Sequence, residues 1–178
     1  MFRTNRRPLQ YLLLAVISLS AMGVQASWFG GNSQCKRVQI ADVSDLTMTE
    51  AAGELGLNTL LAVAGPLGVG DLLDQSNNIT LFAPTDEAFD ALLAGVAPAS
   101  DDVVAAILSY HVVPRKFDPR RVAYIRKVPT LLGQDLFVSR GKKAPDVNQS
   151  NIECQGYRTK NGLVWVVDSV LVPQFFAE

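Results

Sequence analysis

The chain carries one histidine, His111, and therefore one side chain suited to proton transfer near neutral pH. A Ser, Thr or Cys nucleophile needs such a base and a third group to orient it, and no G-x-S-x-G elbow is present. Val103, Ile107 and His111 are spaced four apart, so His111 falls on the apolar face of a predicted helix. That position points to a buried, hydrogen-bonded imidazole. The acid pairs Asp86-Glu87 and Asp101-Asp102 each stand at a predicted helix start, where the positive end of the helix dipole accounts for them. Nothing sets them across a cleft as glycoside hydrolysis requires. Asp168, between Val167 and Ser169 in an apolar run, is expected to be held by structural hydrogen bonds. Phosphate-loop, HExxH and EF-hand patterns are missing. Two cysteines and one histidine are too scattered for a zinc site. The residues thus predict no enzyme, no cofactor and no metal.

Charge is the more informative signal. Arg115, Lys116, Arg120, Arg121, Arg126 and Lys127 form a basic stretch opposed only by Asp118, and Arg140, Lys142 and Lys143 add a second cluster. One reading is a solvated face that balances an acidic first half; the other is a patch for an acidic polysaccharide or an anionic cell surface. Residues 27–110 hold 11 acidic and two basic residues, whereas residues 111–178 hold 11 basic and six acidic. The formal net charge of the whole chain is −1, which argues against a nucleic-acid binder. The sequons Asn78-Ile79-Thr80 and Asn148-Gln149-Ser150 are expected to serve structure.

Residues 1–26 read as an export leader. Arg3, Arg6 and Arg7 precede an apolar run from Leu9 to Val24, and Val24-Gln25-Ala26 offers a cleavage site. Its strictly apolar part, Tyr11 to Ile17, is too short to span roughly 30 Å of hydrocarbon, so no membrane span is expected after cleavage. The mature chain would be secreted, extracellular or periplasmic. There Cys35 and Cys154 are expected to pair, closing a loop of about 120 residues for roughly 4–5 kcal/mol; an intermolecular bond or two free thiols are the alternatives.

These residues must be positioned by a domain of ordinary size, with 48% hydrophobic residues available for its core. After a flexible leader over 27–37, the pattern from Ala41 to Leu73 is helical and broken by glycines. Ile79 to Ala83 reads as a buried strand. Thr85 or Asp86 is placed to cap the next helix, and Ser100 a further one that Pro114 ends. Beyond Pro114 the period becomes two. Arg121–Ile125, Thr130–Leu132, Leu136–Arg140 and Leu163–Val172 are strand candidates, and Lys160-Asn161-Gly162 a turn. The reading is one α+β domain. A tail over 174–178 carries Phe175-Phe176, expected to pack back or to form an apolar patch.

Three segments in order, TLFAPTDEAF at 80–89, YHVVP at 110–114 and NGLVWVVDSVLVP at 161–173, with TLLGQDLFV at 130–138 and Val147-Asn148 between them, resemble a fasciclin domain over roughly residues 38–173. The resemblance implies a β-wedge or sandwich of about seven strands with several short helices. It also implies a secreted or cell-surface module for adhesion or matrix binding, whose partner is an extracellular protein or polysaccharide. Tyr110-His111 lies in the region linked to cell-surface recognition in animal relatives. Tyr110 and His111 from this resemblance, with Arg115, Lys116, Arg120 and Arg121 from the basic stretch, are the expected binding residues of a monomer. Trp165 stands where the last motif often has His, and Arg115 where Gly often follows the second. Some members carry an apolar pigment or lipid, which is the alternative function.

Overall fold

The computed structural model describes residues 39–95, 100–141 and 144–174. The leader, Cys35, the Lys142-Lys143 pair and the Phe175-Phe176 tail lie outside the described residues, as does the side chain of Cys154. The elements in order are β1 (Gln39–Val43), α1 (Met48–Glu54), α2 (Asn58–Ala64), α3 (Val69–Gln75), β2 (Ile79–Pro84), α4 (Asp86–Gly95), α5 (Asp101–Tyr110) and β3 (Val112–Val113). A 3-10 turn at Pro119–Arg121 follows, then β4 (Arg126–Pro129), β5 (Asp135–Ser139), β6 (Asp146–Val147), β7 (Ser150–Thr159) and β8 (Gly162–Val167). The α+β class is as expected: five helices and a multi-strand sheet.

Sheet order is β3-β2-β8-β7-β6-β5-β4, with β1 parallel to the second half of β7. Strands β2 and β8 are parallel, Ile79 facing Gly162 and Pro84 facing Val167. Every residue of both is buried, as their unbroken apolar sequence requires of strands covered on both faces. Period two then divides them between two cores. Ile79, Leu81, Ala83, Val164 and Val166 meet Met48, Leu57, Leu60 and Leu73 of the helical layer. Phe82, Leu163, Trp165 and Val167 meet Val128, Leu136, Val138 and Val147 of the other strands. Between Ile152 and Gly156 the β7–β8 register shifts. There Trp165 lies on Gly156 so closely that a Cβ on the glycine would fall 2.4 Å from the ring.

The short helices depend on caps. Thr47 and Glu50 form a capping box at α1. At α4 the Thr85 hydroxyl accepts from the Ala88 amide at 3.2 Å, as expected. Asp86 works elsewhere: its carboxylate accepts from the Thr59 amide at 2.8 Å and so caps α2, whose own N-cap, Leu57, has no side-chain acceptor. Asn161, in the expected β7–β8 turn, donates to the Leu73 and Ser76 carbonyls and ties down the end of α3.

Several expectations are corrected. Residues 41–43 belong to a strand, not a helix, and β7 was not foreseen. Ser100 makes no side-chain capping bond, and α5 ends at Tyr110, ahead of Pro114, because Val112-Val113 joins the sheet. Arg121–Ile125 is not a strand, since Asp118 caps the 3-10 turn and residues 123–127 are exposed without alternation. Thr130–Leu132 is a turn: the amide and hydroxyl of Thr130 donate to the Gln134 carbonyl, and Gly133 takes a φ of 89°. The last strand stops at Val167, where the Asp168 carboxylate accepts from the amide and side chain of Asn151 at 2.9 and 2.7 Å.

Candidate functional site

The three quoted sequence segments are neighbours in space. The first forms β2 and α4, the second ends α5 and forms β3, and the third forms β8 and the segment after it. His111 links all three. Its backbone carbonyl accepts from the Phe82 amide at 3.0 Å. Its ring is fully buried: Nδ1 donates to the Ile107 carbonyl at 2.7 Å, and Nε2 accepts from the Leu171 amide at 2.9 Å. Only the neutral Nδ1–H form makes both bonds. Burial pushes its pKa from 6.5 down to about 4, against a small upward pull from the Ile107 carbonyl.

Tyr110 is also buried. Its hydroxyl donates to the Asp135 carbonyl at 3.1 Å and accepts from Asn148 Nδ2 at 2.8 Å. Asn148 accepts from the Phe137 amide as well, and its φ of 47° fixes the β6–β7 turn. The expected contact role of Tyr110-His111 is therefore corrected. His111 offers a partner no surface, and Tyr110 reaches one only as part of the lining of a groove of about 430 Å³ beside Ile125, Phe137 and Val172.

The basic residues do assemble. Arg115, Lys116, Arg120, Arg121, Arg126 and Arg158 line a second groove of about 390 Å³ floored by Ile40, Phe117, Val122 and Leu163. Thr80, wholly buried in β2, positions one wall: its hydroxyl donates to the Arg115 carbonyl and accepts from the Phe117 amide, both at 2.8 Å. Both sequons are thus engaged in structure, one through Thr80 and the other through Asn148.

Asp118 is the one acid in that lining, and it is spent within the turn. It accepts from the amide, Nε and Nη2 of Arg120 at 3.0, 2.9 and 2.8 Å, with Arg121 Nε at 3.5 Å. Burial pushes its carboxyl up, but the bonds from Arg120 and the two guanidinium charges outweigh this and hold it below the usual range. Arg120 also lies over Trp165, 5.7 Å from the ring centroid. Arg158 pairs with Asp42 at 3.7 Å. Among the described residues Arg115, Lys116 and Arg126 make no ion pair.

The basic stretch in the sequence thus holds five of the six cations, Arg126 among them although it is not one of the expected binding residues. It did not bring in Arg158 or Ile40, which arrive on β7 and β1. No local signal could have found the last two, because the parallel β1–β7 pairing puts them there. A third charged group consists of acids: Glu153 is pushed up by burial and then by Glu87 and Asp168 nearby. Among the described residues no group of three or more His, Cys, Asp or Glu side chains could hold a metal.

The chain is thus a two-core α+β domain with a cationic groove and a locked, neutral histidine. Comparison with known proteins supplies the family. Residues 55–173 match the fasciclin domain, and the chain belongs to that family. It is 33% identical over 141 residues to Protein sll1483 of Synechocystis, covering 76% of this chain and 78% of that one. It is 34% identical over 136 residues to the cell surface glycolipoprotein MPB83 of Mycobacterium bovis, covering 72% of this chain and 61% of the relative. Among solved structures, a FAS1 domain pair from the insect cell adhesion molecule fasciclin I superposes with a TM-score of 0.55 at 20% identity, covering 66% of this chain and 46% of that one. That likeness shows the fold.

Proposed function

We propose that this fasciclin domain is a secreted or cell-surface interaction module, without catalytic activity, that holds an acidic stretch of an extracellular protein or polysaccharide in its basic groove. The observation that carries this reading is six cationic side chains around one groove whose single acid is already bound by two of them. The cell-surface name of MPB83 and the adhesion molecule among the structural neighbours support the location and the adhesive role. Tyr110 and His111 serve by tying α5 and β3 to the segments around them. Export through the 1–26 leader and a Cys35–Cys154 bond belong to the same reading.

The test is calorimetric titration of the mature chain with polygalacturonate, polyglutamate and neutral dextran, at about 0.1 M and about 0.5 M salt. Binding to the acidic polymers alone, at least tenfold weaker at high salt and in Arg115→Glu/Lys116→Glu, is expected. Salt-insensitive binding, or full binding by the double variant, would sink the reading. A second reading, carriage of an apolar pigment or lipid, draws on the groove beside Ile125, Phe137 and Val172, whose size suits a small molecule. Organic extraction of the native protein distinguishes them: a colourless, lipid-free extract removes the carrier.

A further inference from the structure

Tyr124 and Ile125 are the most exposed large apolar residues described, at 87% and 72%. They sit at the end of the connection from the 3-10 turn into β4 and are bracketed in sequence by Arg120-Arg121 and Arg126-Lys127. The bracket has a spatial counterpart. Ile125 lines one groove with Phe137 and Val172, both partly exposed, while the next residue, Arg126, lines the basic groove. This stretch of backbone is thus a ridge, apolar on one side and cationic on the other. The acid lining each groove is engaged, Asp118 by Arg120 and Arg121, and Asp146 by the Ser139 hydroxyl at 2.6 Å.

We propose that this ridge is a peripheral membrane anchor for an anionic lipid bilayer. Tyr124 and Ile125 enter the boundary between headgroups and acyl chains, and the flanking Arg and Lys side chains meet lipid phosphates. An acidic polymer in water would satisfy the cations but leave the two apolar side chains exposed. A lipid surface satisfies both, since a tyrosine ring and an aliphatic chain bury their apolar parts at the interface while cations sit among the headgroups. Each cation near an anionic bilayer strengthens binding about fivefold, and the attraction falls off within a Debye length. The inference rests on the exposed tip and goes beyond the groove reading, which does not need it.

The experiment is co-sedimentation of the mature chain with phosphatidylcholine vesicles, with and without phosphatidylglycerol, at about 0.1 M salt. Wild type should partition onto the anionic vesicles and far less onto neutral ones. Tyr124→Ser/Ile125→Ser should lose at least tenfold of that partitioning while keeping its affinity for polygalacturonate, which separates failure of the anchor from failure of the groove. Arg126→Gln/Lys127→Gln should lose tenfold or more. All four positions are exposed, so unfolding midpoints should stay at the wild-type value and confirm folding. Absence of vesicle binding overturns the proposal. So does equal binding by the serine variant, which would mean attraction by charge alone, and so does equal binding to neutral and anionic vesicles.

Discussion

Acidification should weaken this domain through its buried histidine. His111 is neutral in the fold with a pKa of about 4, against 6.5 when unperturbed. Its folded value is depressed, so the unfolded chain binds the extra proton first as pH falls. The contribution is complete above pH 6.5 and is lost progressively down to about pH 4. Each pH unit inside that window removes about 1.4 kcal/mol, so roughly 2 kcal/mol is gone by pH 5 and about 3 kcal/mol by pH 4. In a domain whose total stability is about 5–15 kcal/mol that is a large share. Guanidinium unfolding at pH 7, 6 and 5 measures the slope, and His111→Gln, which cannot titrate, should remove about 2 kcal/mol of it over that range. Because the chain has a single histidine, its imidazole proton resonances can also be followed directly by NMR. A titration midpoint near 6.5, or identical slopes for the two proteins, would refute the buried neutral imidazole.

Three further substitutions probe the frame around the grooves. Gly156→Ala drives a methyl into the Trp165 ring and should cost about 1–3 kcal/mol; a denaturation midpoint equal to wild type would show that β7 bends elsewhere. Thr80→Val keeps the shape but leaves the Arg115 carbonyl and Phe117 amide without partners, costing about 2–3 kcal/mol; it should also weaken acidic-polymer binding, and retained affinity would mean the wall does not need this pin. Asp86→Ala removes an acceptor that caps α2 from another helix, for about 1 kcal/mol; hydrogen exchange should quicken at the Thr59 amide, and unchanged exchange there would rule the cap out.

Segments whose partners lie close in sequence, or whose pattern has one reading, were legible. The apolar runs of β2 and β8, the Thr85 cap, the Asn161 turn and the burial of His111 all follow from local rules. β7 was not, because Ser150–Thr159 mixes Asn, Glu, Gln and Arg with few apolar residues; its long pairing with β8 and the β1 edge make it a strand. Arg121–Ile125 misled for the opposite reason. Val122 is buried while Tyr124 and Ile125 are left in solvent, so the apparent alternation is not one of burial. The cations were legible as a run of charge, but their arrangement around a groove depends on Thr80 and on a strand that pairs far along the chain.

The parallel pairing of β2 with β8 has a consequence for how the polypeptide is made. Ile79 meets its partner Gly162 roughly 80 residues later, and β1 waits for β7 over a longer span still. During synthesis the greasy Ile79–Pro84 segment emerges long before anything can cover one of its sides. The preceding and following acidic residues, 11 against two basic over 27–110, surround it with like charge and keep neighbouring unfinished chains apart until the last hairpin arrives.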